Sequence, residues 1–448
     1  MKRKRQIAAL ILLLTMSVTA VSCSFRDASG SENHSVGDGG DISAVDTVNN
    51  DDTDDAVTET QVADSMPEAS PSSVGDAADV GDAAAVDLPQ TGMQREAEPD
   101  RAISFLTAGD NVIHPCIYLE AKQRATANTR EYHFTPMYAD VVDIIGSYDV
   151  AFINQETLMG GADLGYVGYP RFNSPQDLGL DLVEMGFDIV NIANNHMADQ
   201  WEKGLKGTIE FWRNQPVTLI GDVMNKDEYE VPDIIERDGI SIAFLSYTYG
   251  TNGLTLPASS ELIVPYIDDA TILRHIENAK TLADLVFVSM HWGEENISKP
   301  TSEQVRVGQL MADAGVDVII GHHPHVLQPI EWLDGVNGNR TLCIYSLGNL
   351  VSAMMYSQNM VGGFVTFDVI SKGGAKPYVD NVKFLPTVFF YGMNYYSTHL
   401  YKMEDYTDAM AAKHGTQIYN NYASSAQMRK FVTDIISPEY LPDWIKST

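Results

Sequence analysis

The stretch Val316-Asp317-Val318-Ile319-Ile320-Gly321-His322-His323-Pro324-His325 decides how the folded part of the chain is read. An apolar β-branched run of strand length stops at a glycine, and three imidazoles follow within four residues. A helical pattern, Ser302 to Ala314, precedes it and ends at Gly315. Helix, then buried strand, then polar turn is the unit of an α/β sheet, whose ligands collect beyond the carboxyl ends of its strands.

The same unit recurs on either side. Candidate strands are Ile103 to Ala108, Val150 to Asn154, Ile189 to Ala193, Val217 to Ile220, Ile240 to Ser246, Leu285 to Met290, Val316 to Ile320, Leu342 to Ser346, Gly363 to Val369 and Val382 to Leu385. Helical spacing is found at Pro136 to Ile145, Pro175 to Met185, Gly204 to Arg213, Asp269 to Ala283 and Ser302 to Ala314. Continuous apolar strands alternating with helices imply sheet faces covered by helices, and two packed sheets accommodate this many strands. From about Thr387 the alternation stops, so residues 391–448 read as an extension packed on a core domain, 101–390.

The N-terminal portion differs in kind. Lys2 to Arg5 precede an apolar run from Ile7 to Ala20, then Val21-Ser22-Cys23. This is an export signal over residues 1–22, too short for a comfortable membrane span. Small residues before Cys23 resemble a lipobox, which predicts lipidation of Cys23; an ordinary secreted product is the alternative. Residues 23–100 read as an acidic disordered linker: Ser24 to Asp100 holds 19 acidic and 2 basic residues, and Val-Gly-Asp-Ala-Ala occurs at 74–78 and again at 80–84. A spacer role is the plain reading, cation binding the other.

Of the chain's net charge of −32, the linker carries −17 and the remaining folded part −19, offset by the basic signal segment. That balance argues against nucleic acid as a partner. After Cys23 only Cys116 and Cys343 remain, so the fold is no disulfide framework; the two either pair or stay as buried thiols.

Polar residues gather where strands end: Gly109-Asp110, Asn154-Gln155-Glu156, Asn194-Asn195-His196, His291-Trp292-Gly293, and the histidine turn at 321–325. Singly, each is also what a helix cap or a satisfied turn looks like. Jointly they hold five of the chain's 11 histidines, beside carboxylates, a donor set suited to divalent transition metals. Asp199 and Glu295 add carboxylates near this cleft, either as general acid or base groups or as partners that orient histidines. Ser346 and Asn349 either shape the site or form a turn. Arg171, in the long segment 160–175, either meets an anion through its planar fork or is simply a surface residue. No Gly-x-Ser-x-Gly elbow supports a serine hydrolase.

The order Ile192-Ala193-Asn194-Asn195-His196 with Asp199, His291-Trp292-Gly293 with Glu295, Gly321-His322-His323-Pro324-His325, and Tyr345-Ser346-Leu347-Gly348-Asn349 resembles the CapA family of bacterial capsule and poly-γ-glutamate synthesis proteins, itself similar to calcineurin-like metallophosphoesterases. The resemblance covers roughly Ile103 to Val388. It implies a two-sheet αββα sandwich of the metallophosphoesterase type and one or two divalent metal ions (Mn, Zn, Fe or Mg). Asp110, Glu156, Asn195, His291, His323 and His325 would be metal ligands, and His196, with Asp199 and Glu295, would act on the reacting bond. An anionic polymer or phosphoester substrate, a membrane-bound polymer synthetase and a lipid-anchored place on the extracellular face of the cell membrane are the further expectations; a non-catalytic anchoring subunit and a general surface phosphoesterase are the alternatives. Two positions depart from the pattern. Asn111-Val112 follow Asp110 where the phosphoesterases have Asp-x-His, the nearest histidine being His114, and Glu156 replaces a bridging aspartate.

Overall fold

The computed structural model describes residues 100–446. The signal segment 1–22, Cys23 and, apart from Asp100, the acidic stretch 23–100 lie outside the described residues.

Fourteen strands are formed among the described residues: β1 Arg101–Asn111, β2 Val150–Gln155, β3 Ile189–Asn191, β4 Thr218–Ile220, β5 Asp233–Arg237, β6 Ile240–Thr248, β7 Leu285–His291, β8 Val318–His322, β9 Ile330–Asp334, β10 Arg340–Ile344, β11 Asn349–Val351, β12 Val361–Ser371, β13 Tyr378–Phe390 and β14 His399–Lys402. They make two sheets. The first has the order β14-β13-β12-β1-β2-β3-β4, with β11 also paired to β1; the second runs β5-β6-β7-β8-β10-β9. In the first sheet β1, β2, β3 and β4 are parallel, and in the second β6, β7, β8 and β10 are. The mixed α/β two-sheet class expected from the sequence is what forms.

Alternation along the central strands explains the layering. On β7, Leu285 and Phe287 join the core between the sheets, while Val286, Val288 and Met290 pack outward. Outward neighbours are Ile272 and Ile276 of the helix Asp269–Leu282 and Val307 and Met311 of the helix Ser302–Ala314. Phe287 marks the inner layer: its ring lies 5.4 Å from Phe105, 5.5 Å from Phe244 and 5.9 Å from Phe367. The helices Asp177–Met185 and Trp201–Arg213 send Leu178, Leu182, Leu205, Ile209 and Trp212 into the same core.

Helix limits follow local chemistry. The helix Ser302–Ala314 starts in a capping box, Thr301 with Gln304, and stops at Gly315 with φ of 92°. The helix expected over Pro136 to Ile145 is instead a 3-10 turn, Thr135–Tyr138, followed by one short turn, Val142–Ile145. Asp181 accepts the backbone N–H of Phe134 and of Thr135, and the Tyr138 hydroxyl donates to Asn111 Oδ1 at 2.9 Å. These ties hold the segment to its neighbours and override helical spacing. Residues 391–446 do more than pack on the core, because β14 extends the first sheet by pairing with β13. Cys343 is a buried free thiol, so it does not pair with Cys116.

Candidate metal centre

Three strands of the first sheet and two of the second deliver the cluster, all at the carboxyl ends of parallel strands. Asp110 lies near the end of β1, Glu156 follows β2, Asn195 and His196 follow β3, His291 ends β7, and His323 and His325 follow β8. All seven are buried. Backbone shape brings them close. A Cβ on Gly109 would lie 2.0 Å from the carbonyl oxygen of Gly348, so only glycine lets β1 meet that turn, and the Asp110 N–H donates to the same carbonyl at 3.0 Å. His323 and His325 adopt φ of 97° and 56°, left-handed backbone that bulky residues rarely take and that marks functional turns.

Two compact donor groups result. Asp110, Glu156 and His291 each offer an atom within 4.8 Å of the others, and so do Glu295, His323 and His325. The Asn195 carboxamide oxygen lies 3.0 Å from His291 Nε2, beside the first group. Glu295, exposed, makes no hydrogen bond to these histidines; it stands as a donor beside His323 and His325 rather than as their orienting partner.

The electrostatics are those of a site short of positive charge. Burial pushes the Glu156 carboxyl well above its ordinary range, and Asp110 adds to this. Burial opposes ionisation of Asp110 too, but hydrogen bonds from His322 and His325 outweigh it and hold its carboxyl well below the usual value. His325 is pulled down by burial, yet Glu156 and Asp110 raise it to about 10. Its Nδ1 lies 3.2 Å from Asp110 Oδ2 and its Nε2 3.5 Å from Glu156 Oε1, so the ring stands between the two carboxyl groups. Burial drives His323 down to about 3 and His291 well below its ordinary value, leaving both as neutral imidazoles, the form that ligates metal. Glu156 Oε1, His291 Nδ1 and His323 Nδ1 are buried without hydrogen-bond partners. Unpaired buried polar atoms are costly. Oxygen and imidazole donors left open in this way fit a divalent cation.

His196 is held differently. Its Nδ1–H donates to Asp199 Oδ2 at 2.7 Å, and the same oxygen accepts the Phe172 N–H at 2.6 Å. The ring's Nε2 then faces the cleft, 3.9 Å from Glu156 Oε1. Asp199 thus orients a histidine, one of the two roles its position suggests. Behind Asp110 runs a chain of buried amides: Ser246 Oγ donates to Asn191 Oδ1 at 2.5 Å, Asn191 Nδ2 to Asn154 Oδ1 at 2.8 Å, and Asn154 Nδ2 to Asp110 Oδ1 at 2.8 Å. This chain fixes the rotamer of the carboxylate it ends on.

Val112, where a histidine would complete an Asp-x-His pair, is buried apolar filling. His114 does not replace it. Its Nδ1 accepts the Ala353 N–H at 3.2 Å, its ring meets Phe172 edge-on, burial lowers it to about 4, and it belongs to neither donor group. Four further residues shape the site without having been singled out as ligands. His322, fully buried, stacks on Phe152 and lies 3.4 Å from Asp110 Oδ1. Asn349 takes His325 Nδ1 on its Oδ1 at 3.0 Å and donates to the His325 carbonyl, so it shapes the histidine turn. Asn154 is the last link of the amide chain. Tyr249 lies 4.5 Å from the His323 ring; its signal was its place just after β6, the neighbour of β7. Arg171 lies over the indole of Trp201, 4.7 Å from the ring centre.

Fold and site together define an α/β two-sheet protein with a histidine- and carboxylate-lined cleft at its strand ends. The profile of the family described as bacterial capsule synthesis protein PGA_cap matches residues 104–354, and the chain belongs to that family. It is 33% identical over 208 residues to the PGA biosynthesis protein CapA of Bacillus subtilis (strain 168), covering 43% of this chain and 50% of that one. To the capsule biosynthesis protein CapA of Bacillus anthracis it is 31% identical over 198 residues, 43% of this chain and 46% of that one. The chain thus spans about half the length of these two relatives. Among solved structures it is similar to the NAD nucleotidase of Haemophilus influenzae, with a TM-score of 0.42, 12% identity and coverage of 77% and 58% of the two chains. It is also similar to a 5'-nucleotidase precursor from Thermus thermophilus, with a TM-score of 0.40, 10% identity and coverage of 64% and 54%.

Proposed function

We propose that this chain is a metal-dependent hydrolase serving the synthesis or export of a capsule or poly-γ-glutamate polymer, cutting a phosphoester or a γ-glutamyl or amide bond. The observation that carries this reading is the pair of donor groups, Asp110-Glu156-His291 and Glu295-His323-His325, with open buried atoms on Glu156, His291 and His323. A divalent metal there, whether Mn, Zn, Fe or Mg, would polarise a substrate oxygen and acidify a bound water. The chain's own part is positional. His196, tied by its Nδ1–H to Asp199, presents Nε2 to the cleft, where in its doubly protonated form it gives the Nε2 proton to a leaving oxygen or nitrogen and returns to the neutral ring. Asp110 is held ionised, its rotamer set by the amide chain through Asn154. The burial of the cluster keeps bulk water from competing.

The polymer role is carried over from the relatives' names, and the membrane-bound synthetase partner and the lipid-anchored, extracellular location from Cys23 belong to the same proposal. Among the described residues no helix is long and apolar enough to cross a membrane.

A second reading, a non-catalytic subunit that anchors the polymer around a structural metal, draws support from Val112, which leaves the first motif with one ligand instead of two. One experiment separates the two. The purified chain is loaded with Mn²⁺, Zn²⁺, Fe²⁺ or Mg²⁺ and offered phosphodiesters, phosphomonoesters and γ-linked oligoglutamate. Turnover of one class, lost in His196→Ala with metal content unchanged, supports the hydrolase. Absence of turnover with every metal, together with loss of capsule on gene deletion, gives the anchoring role instead.

A further inference from the structure

The segment 160–175 between β2 and the helix Asp177–Met185 is fastened at the end that meets the site. Buried Asn173 accepts the Gly160 N–H at 2.8 Å and donates to the carbonyls of Gly161 at 3.0 Å and Gly165 at 2.7 Å. Phe172 is tied through its N–H to Asp199 Oδ2, the oxygen that holds His196, and its ring meets the His196 ring edge-on at 4.8 Å. The neighbouring Arg171 is therefore carried to the rim of the cleft on the His196 side. Its carbonyl accepts from Gln200 Nε2 at 3.1 Å, and its guanidinium lies on the face of Trp201. Trp201 takes φ of 52°, an arrangement that a bulky residue keeps only when its surroundings enforce it.

Arg171 combines a stacked face with an edge that meets no carboxylate. Several other guanidinium groups of this acidic protein close onto carboxylates, Arg130 on Asp181, Arg213 on Asp222, Arg274 on Glu230 and Arg306 on Asp269, and Arg340, which also lies over an indole, that of Trp332, has Asp334 3.6 Å away. Arg171 makes no ion pair among the described residues and rests on an indole instead. Stacking occupies the flat face of a guanidinium and leaves its N–H donors, all at the edge, pointing outward in a fixed fork. A planar fork of that kind matches the two oxygens of a carboxylate or phosphate.

We propose that Arg171, held on Trp201 at the rim of the metal cleft, binds an oxyanion of the substrate next to the bond that His196 faces. The inference deepens the proposed function and rests on it for the identity of the substrate, though anion binding itself needs no metal. It also answers how a folded part with a charge of −19 receives a polyanion: by one positioned cation rather than by a basic face. Trp201, 47% exposed beneath Arg171, adds apolar surface for the aliphatic stretches between anionic groups. The shared chemistry is an oxyanion repeated along a flexible chain, either the carboxylate of γ-linked glutamate or the phosphate of a phosphodiester polymer.

The test titrates the full chain, EDTA-treated and Mn²⁺-loaded, with γ-linked oligoglutamate and separately with a glycerol phosphate oligomer, by calorimetry. Arg171→Ala is expected to weaken binding of one oligomer roughly 10-fold or more in both forms of the protein, with an unchanged melting temperature. The oligomer affected names the anion. Arg171→Lys should recover part of the loss, Trp201→Leu should fall between the wild type and Arg171→Ala, and Lys203→Ala, on the same helix as Trp201, should bind as the wild type. Equal affinity of wild type and Arg171→Ala for both oligomers, or no binding of either by the wild type, overturns the inference. If Arg171-dependent binding persists while no metal supports turnover, the hydrolase reading falls and this one stands.

Discussion

Replacing Asp199 by asparagine tests the organisation of the site without touching any proposed metal ligand. One carboxylate oxygen, fully buried, accepts both the His196 Nδ1–H at 2.7 Å and the Phe172 N–H at 2.6 Å. Hydrogen bonds to a charged acceptor contribute about 1.5–3 kcal/mol each, roughly twice those to a neutral one. An amide of the same shape keeps one acceptor oxygen and puts an NH₂ where the second lone pairs were. If the amide oxygen takes the place of Oδ2 it keeps both donors, but as a neutral acceptor, and the NH₂ takes the place of Oδ1, which is buried without a partner. We expect a loss of about 2 kcal/mol, seen as a melting temperature lower by a few degrees. Any metal-supported turnover should fall about 10- to 100-fold while metal content stays constant. Unchanged stability and unchanged turnover in the variant would refute the role assigned to Asp199.

His323→Ala should lower the metal content of purified protein by at least one equivalent relative to the wild type, measured by elemental analysis; unchanged content sinks the ligand set. Phe287→Ala, at the meeting of Phe105, Phe244 and Phe367, should cost about 3–5 kcal/mol in urea unfolding, and a cost below about 1 kcal/mol would mean that the sheets do not depend on this contact. Burial lifts the Asp233 carboxyl to about 7, with Asp222 adding to it. A carboxyl whose folded value exceeds its unfolded one contributes stability that is present below about pH 4 and lost as pH rises through 7. Asp233→Asn should therefore match the wild type at about pH 4 and exceed it at about pH 8, on the order of 1–2 kcal/mol after allowing for the carboxyl's partial exposure. Thermal melts across that range check it, and a variant that melts below the wild type at the alkaline end contradicts it.

The sequence spoke most clearly where burial is complete. Strands β1, β2, β7 and β8 are buried on both faces over most of their length, so they read as unbroken apolar runs, and the ligands stand directly at their ends. The edge strands β5 and β9 were not legible, because Asp233–Arg237 and Ile330–Asp334 are half exposed and carry charges at the positions that face water. The three-residue β11 is too short to leave any period. At the site, spacing pointed to His323 and His325, but the division into two donor groups depends on Glu295 approaching from beyond β7, which no spacing contains. The bond from Phe172 to Asp199 links residues 27 positions apart through a backbone N–H, a group present at nearly every position and therefore silent in a sequence.

The first donor group straddles the seam of the sandwich: Asp110 and Glu156 belong to strand ends of one sheet, His291 to a strand of the other. A cation gripped there would work as a rivet through two plates. Loading would then be felt far from the cleft, as resistance of the whole two-sheet body to opening, and the melting temperature of the protein would rise with the concentration of free metal. Chelation would loosen the body as well as silence the cleft, so a cell starved of the metal would lose the protein to proteolysis as well as its activity.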